Sequence, residues 1–328
     1  MSFALTDHWV WDFWHADDGD THHLFYLHAP KSLGDPELRH RNARIGHATS
    51  TDLHHWEDHG EVLRPGAPDD FDGTATWTGS VVRADTGLWS MFYTGSRFLS
   101  PYEVTNVETV GRAVSYDLTT WTKFPLEVSA NPRWYETLSD GTWHEEAWRD
   151  PWIHRDSQGL WHMLITARAA AGTSRDRGVI GHATSPDLER WSVQPPLSAP
   201  QAGFAHLEVL QLVTIDHRPA LLFSCDTKHL AGHREQSGMG GGIWAVALDS
   251  DTLDRPIDLT SATKLTDENL YAGRAIQNRT GQWVLLAFEN AHHDGTFVSG
   301  ISDPLSLHWS PDGTLALSHT PTTVGASR

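Results

Sequence analysis

The chain repeats one phrase. "IGHATSTDLHHW" (45–56) and "IGHATSPDLERW" (180–191) are nearly identical, and "VGRAVSYDLTTW" (110–121) is a third copy. "VSGISDPLSLHW" (298–309) is a looser fourth, and "GGIWAVALDSDTLDRP" (241–256) fills the remaining slot without the tryptophan. Repetition at a period of tens of residues restricts a chain to architectures made by stacking copies of one supersecondary unit.

The unit is made of short strands. Before each copy stands an apolar run: "HLFYL" (23–27), "LWSMFYTG" (88–95), "LWHMLITA" (160–167), "PALLFSC" (219–225) and "QWVLLAF" (282–288). Before each of those stands another: "WVWDFW" (9–14), "WTGSVV" (77–82), "AWRDPWI" (147–153), "HLEVLQL" (206–212) and "YAGRAIQ" (271–277). Turn residues separate the two, as in "ADDGD", "RADTG" and "RDSQG", the signature of hairpins. The Asp-Leu-x-x-Trp tail leads to a fourth strand. Four antiparallel strands repeated five times predict an all-β, five-bladed β-propeller. The expected blades are roughly 9–75, 76–145, 146–204, 205–269 and 270–318, in one domain spanning 1–328. No segment has a sustained helical period. The tail tryptophans are expected to pack between blades.

Composition narrows the partners. The formal charge is −18, which disfavours nucleic acid and acidic membranes. A single cysteine, Cys225, leaves no intrachain disulfide. The first twenty residues lack a basic n-region, and no apolar run reaches membrane-spanning length, so a cytoplasmic protein is expected. No cofactor or metal is called for. "HADDGDTHH" (15–23) lacks calcium-loop spacing and reads as a hairpin turn. "SGMGGGIW" (237–244) has no helix after it and reads as a loop. The 22 histidines, including His22-His23, His54-His55 and His292-His293, are expected mostly at the surface or behind the site.

In a propeller the first strand of each blade lines the central channel. Those strands offer Asp12, then Thr78 and Ser80, then Arg149 and Asp150, then Glu208, then Arg274. Three carboxylates from three blades, at one place in each repeat, are expected to converge. Such a set suits glycosidic bond cleavage, which needs a proton donor and a second carboxylate across the sugar. Trp11, Trp14, Trp77 and Trp152 offer faces for a sugar ring. Arg149 and Arg274 offer paired donors for hydroxyls. His206 shares its strand face with Glu208. Glu208 has apolar sequence neighbours, where loss of water would favour its protonated form. Asp150, beside Arg149, is expected to stay ionised.

These segments resemble glycoside hydrolase family 32, the invertase and β-fructosidase group, in the clan shared with families 43 and 68. "WVWDFW...HHLFYL" looks like that family's "WMNDPNG...YHLFYQ" opening. "WTGS" (77–80) is similar to "WSGS", "MFYTGS" (91–96) to "LFYTGN", and "WRDP" (148–151) to its Arg-Asp-Pro motif. "HLEVLQL" resembles the segment carrying its Glu-Cys. The resemblance runs in order along essentially the whole chain. It implies an exo-acting hydrolase of β-fructofuranosides working by double displacement. Asp12 would be the nucleophile, Asp150 the transition-state stabiliser and Glu208 the acid/base. Arg149 would hold the sugar, and Trp77 and Ser80 would line its subsite.

The departures are specific. Trp11 and Phe13 flank Asp12 where the family has Asn and Pro. Trp14-His15 replaces its Asn-Gly, and Val209 replaces its Cys. The family's C-terminal β-sandwich has no counterpart in the 19 residues after Trp309. The alternatives are a β-D-arabinofuranosidase, an inverting family-43-like arabinofuranosidase or xylosidase, a glycosyl transferase, and a sugar-binding propeller without catalysis. A small carbohydrate is the expected partner, and the oligomeric state is left open.

Overall fold

The repeated Ser-x-Asp-Leu-x-x-Trp run builds the same corner three times in the computed structural model, which describes residues 3–292 and 295–318. The serine hydroxyl accepts from the leucine amide: Ser50 from Leu53 (2.9 Å), Ser115 from Leu118 (3.0 Å), Ser185 from Leu188 (2.9 Å). The aspartate accepts from the next two amides, as Asp52 does from His54 and His55 at 2.8 Å each. Each leucine takes a left-handed φ of 66°, 63° or 65°. Each indole donates back to the leucine carbonyl, at 3.2, 3.0 and 3.2 Å for Trp56, Trp121 and Trp191. The indole then lies on the preceding blade: Trp121 on Phe25 (5.5 Å), Trp191 on Phe92 (5.4 Å). Trp309 docks differently, donating to Ile215 O at 2.9 Å.

Between the corners run five antiparallel sheets. Blade one is β1 (His8–Asp17), β2 (His22–Pro30), β3 (Arg44–Ser50) and β4 (Glu57–Leu63). Blade two is β5 (Ala75–Arg83), β6 (Trp89–Phe98), β7 (Asn106–Ser115) and β8 (Thr122–Val128), with a two-residue fifth strand, β9 (Glu145–Glu146), parallel to β7. Blade three is β10 (Trp148–Arg155), β11 (Trp161–Arg168), β12 (Gly178–Ser185) and β13 (Ser192–Gln194). Blade four is β14 (Glu208–Ile215), β15 (Arg218–Cys225), β16 (Gly242–Ala247) and β17 (Thr263–Lys264). Blade five is β18 (Leu270–Gln277), β19 (Trp283–Glu289), β20 (Leu305–Trp309) and β21 (Leu315–Ser318). Within each blade the strands pair in chain order. The first strands touch in a ring, β1 with β5, β5 with β10, β10 with β14, β14 with β18 and β18 with β1. The propeller is therefore five-bladed, as the repeat predicts.

Apolar side chains fill the five gaps between blades, so no blade has a core of its own. Each sheet presents two apolar faces and must be sandwiched to hide them. The ring closes where Ser299 Oγ accepts from Val10 N (2.7 Å) and Gly300 N donates to Val10 O (2.9 Å). One short helix, α1 (Gly232–Gln236), lies between β15 and β16.

Several histidines expected at the surface are buried. His23 and His47 stack with rings 5.1 Å apart and share a hydrogen bond of 2.9 Å; His162 and His182 repeat this at 5.2 and 2.9 Å. Asp18 and Asp156 cap the two pairs. A neutral imidazole is donor at one nitrogen and acceptor at the other, so paired rings satisfy each other inside a blade. The pair His292-His293 reaches outside the described residues at His293.

Candidate active site

Every innermost strand carries a β-bulge at the same height. The register slips between Trp11 and Phe13, Trp77 and Gly79, Arg149 and Trp152, Glu208 and Gln211, and Tyr271 and Arg274. The extra residues are thus Asp12, Thr78, Asp150, Val209 and Ala272. The last three have φ of 56°, 55° and 50°. A β-branched valine in that region is strained, and strain of this kind gathers at functional sites. Hydroxyls of the second strands pin the bulges: Thr94 Oγ1 accepts from Asp150 N (2.9 Å), and Ser224 Oγ from Ala272 N (2.9 Å).

The bulges sort the inner residues into tiers. Just before the bulge stand Trp11, Trp77, Arg149, Glu208 and Tyr271, and all five line a cavity of about 1060 Å³. At the bulge, Asp12, Thr78 and Asp150 line the same cavity. Asp12 and Asp150 therefore share a register position, while Glu208 sits one residue earlier, level with Arg149. This corrects the expectation that the three acids occupy one place in each repeat.

Asp12 receives Thr78 Oγ1 at 3.4 Å. Burial pushes its pKa up to about 7, helped by the charges of Asp150 and Glu208 and opposed by Arg39. Asp150 Oδ2 accepts from Thr166 Oγ1 (3.0 Å) and Val209 N (3.2 Å), with Arg149 Nε at 3.8 Å. Burial nevertheless moves its pKa upward against Arg149, where the sequence alone suggested a carboxylate kept ionised by its neighbour. Glu208 is not in an apolar setting. Its carboxylate takes a hydrogen bond from Arg149 Nη2 at 2.7 Å and another from the Tyr271 hydroxyl at 2.5 Å. His206, buried beside it, lines the cavity within 3.5 Å of Glu145 and 3.4 Å of Arg149. Burial and the Arg149 charge keep its pKa well below the usual imidazole value.

Four aromatic or polar residues singled out in the sequence do not reach the cavity: Trp14, Ser80, Trp152 and Arg274. They have one cause in common. Each lies two residues past a bulge, on the same strand face but one layer deeper. Trp14 is buried against Phe25. Ser80 Oγ accepts from Ile153 N across the blade boundary. Arg274 lies over Trp152 and donates to the carbonyls of Val209, Leu210 and Phe13, tying blade five to blades four and one. Arg274→Met leaves those carbonyls bare and is expected to cost at least about 1–3 kcal/mol, the range for one buried acceptor left unpaired. A lowered urea midpoint with unchanged KM in the folded fraction is the expected result. A raised KM at full stability would make Arg274 a sugar contact after all.

Sequence reasoning named Thr78 without giving it a role, and passed over Tyr271, Arg39, Glu108 and Glu145. Arg39 lines the cavity, its guanidinium 5.8 Å from the Trp11 ring and 4.5 Å from Phe297. Aligning the innermost strands on their bulges would have found Tyr271 and set Thr78 above Ser80: the dipeptides Trp11-Asp12, Trp77-Thr78, Arg149-Asp150, Glu208-Val209 and Tyr271-Ala272 are equivalent.

The structure defines a class, a five-bladed propeller with three carboxylates from three blades around one cavity. Within that class the chain belongs to glycoside hydrolase family 32, whose N-terminal domain model matches residues 16–299. That match begins just after Asp12. The raffinose invertase of Escherichia coli is 29% identical over 231 residues, 68% of this chain and 43% of that protein. The sucrose-6-phosphate hydrolase of the same organism is 28% identical over 235 residues, 69% of this chain and 44% of that one. The matches thus span less than half the length of these curated relatives. Among solved structures, the inulosucrase from Halalkalicoccus jeotgali bound to kestose superposes with a TM-score of 0.75 at 21% identity, covering 98% of this chain and 90% of that one. At that identity the likeness is one of fold.

Proposed function

We propose that this protein is an exo-acting β-fructofuranosidase that works by double displacement. One observation carries the reading: Asp12, Asp150 and Glu208, from three blades, line one cavity. In this scheme Asp12 attacks the anomeric carbon while Glu208 protonates the leaving oxygen. Asp150 accepts from sugar hydroxyls whose hydrogen bonds strengthen as charge develops in the ring. Water, deprotonated by Glu208, then frees the sugar from Asp12. Trp11 and Trp77 flank the ring, and Arg149 steadies Glu208.

A second reading, a β-D-arabinofuranosidase, is favoured by Trp11. The indole occupies the cavity wall beside Asp12, where the family has Asn. It leaves less room for the C1 hydroxymethyl group that distinguishes fructofuranose from arabinofuranose. One experiment addresses both. Sucrose, raffinose, kestose and aryl β-D-arabinofuranosides are offered, and the first-formed anomer is followed by NMR. Release of β-fructofuranose supports the proposal. The α-anomer would replace double displacement by inversion. Turnover of the pentofuranoside alone would favour the second reading, and new oligosaccharides at high sucrose would mark a transferase.

A further inference from the structure

Glu108 does not line the cavity, yet it is held more completely than any of the three acids that do. It lies on β7 and is fully buried. Oε1 accepts from Asn106 Nδ2 and from Arg149 Nη1, each at 3.1 Å. Oε2 accepts from Trp148 N at 2.9 Å and from Arg149 Nη1 at 3.1 Å. All its partners are donors, the environment a carboxylate needs when water is excluded. Arg149 Nη1 also reaches Glu145 Oε1 at 3.0 Å, which leaves Nη2 for Glu208 Oε1 at 2.7 Å. A guanidinium is a rigid plane, so fixing one nitrogen fixes the direction of the other. The arrangement is specific to blade two. β9 inserts parallel to β7, pairing Glu145 with Asn106, so the strand bearing Glu108 also delivers Glu145.

We propose that Glu108 is a positioning residue: it locks the Arg149 guanidinium in the one orientation that grips Glu208, and so acts on proton transfer without touching substrate. The inference rests on the reading of Glu208 as proton donor and water activator.

Glu108→Gln keeps the shape but turns an amide donor toward Arg149 Nη1 and toward either Trp148 N or Asn106 Nδ2. The expected result is a fall in kcat of about 10–100-fold, the scale of a misplacement near 1 Å, with KM moving less than about threefold. In an Arg149→Lys background, where a point charge cannot bridge both partners, Glu108→Gln adds little. Multiplicative losses in the double variant, an unchanged kcat, or a loss confined to KM would overturn the proposal. If Glu108→Gln does not fold, Asn106→Ala removes one donor to Glu108 and leaves the charge pair. A smaller fall in kcat with KM little changed supports the proposal, and an unchanged kcat overturns it. Glu208→Gln is assayed alongside. A Glu208 dependence that persists while the Glu108–Arg149 coupling is absent removes Glu108 alone; no Glu208 dependence removes the reading beneath it.

Discussion

Asp12→Asn lowers kcat by about 10⁴-fold or more, the scale of losing a nucleophile outright, and raises stability at neutral pH. The first half follows from chemistry, since an amide oxygen at this site cannot form and release a glycosyl ester. The second follows from the setting. Asp12 is half-buried, faces two other carboxylates and takes a weak hydrogen bond from Thr78. Its ordinary pKa is 3.8, and the fold moves it to about 7. Between those values the folded chain holds a proton that the unfolded chain has released, so stability falls as pH rises through that window. Asparagine carries no such penalty. Its advantage is absent below about pH 4, grows with pH, and levels off above about pH 7, at roughly 1–4 kcal/mol given about 1.4 kcal/mol per pKa unit. Urea unfolding of both proteins at pH 4, 6 and 8 measures it. The same titration predicts an acidic limb in kcat/KM near pH 7, below which Asp12 is protonated and cannot attack. A variant within tenfold of parental kcat would remove Asp12 from the chemistry. A variant less stable than its parent at pH 8 would mean that the carboxylate is structural. Gain of stability with loss of turnover is the pattern of a site held in a costly state for function.

How much of this was legible depended on how local the cause was. The corner built by Ser50, Asp52, Leu53 and Trp56 is complete within seven residues. Its hydrogen bonds need those residue types, so the motif recurs in sequence, and with it the number of blades. The bulge is set instead by pairing with the second strand. No residue type marks it, since Asp, Thr, Asp, Val and Ala all occupy it. Strict alternation therefore led from Asp12 to Trp14, and from Thr78 to Ser80, and both deeper residues turn out to stitch or fill. Arg274 drew notice as an inner-strand residue with paired donors for sugar hydroxyls. Its partners are backbone carbonyls, and the cavity-lining residue of that strand is Tyr271. Glu108 and Glu145 had no signal at all. They depend on β9, an insertion in one blade, and the repeat offers no counterpart to compare. Glu208 was found, but its environment was not. The residues beside it in sequence are apolar, whereas those facing its carboxylate, Arg149 and Tyr271, come from blades three and five.

Glu208→Gln is expected to lose activity in a way that depends on what is being expelled. Against sucrose the leaving group is a sugar alkoxide, and general acid catalysis is worth about 10²–10⁴-fold; the loss in kcat/KM falls in that range. Against an aryl β-furanoside with an electron-poor phenol, the leaving group departs without a proton, and the first step is expected to lose less than about tenfold. The covalent intermediate on Asp12 then accumulates, because water is no longer deprotonated. Azide, which needs no base, relieves it and yields a glycosyl azide of retained configuration. Substrate binding should barely change. The glutamine carbonyl still accepts from Arg149, and its amide can donate to the Tyr271 oxygen if the hydroxyl rotates. Asp12→Asn makes the contrast. It removes the ester, so it shows neither leaving-group dependence nor rescue with retention. Equal losses for sucrose and the aryl glycoside in Glu208→Gln would deny Glu208 its proton, and azide giving the inverted product would deny Asp12 its bond to the sugar.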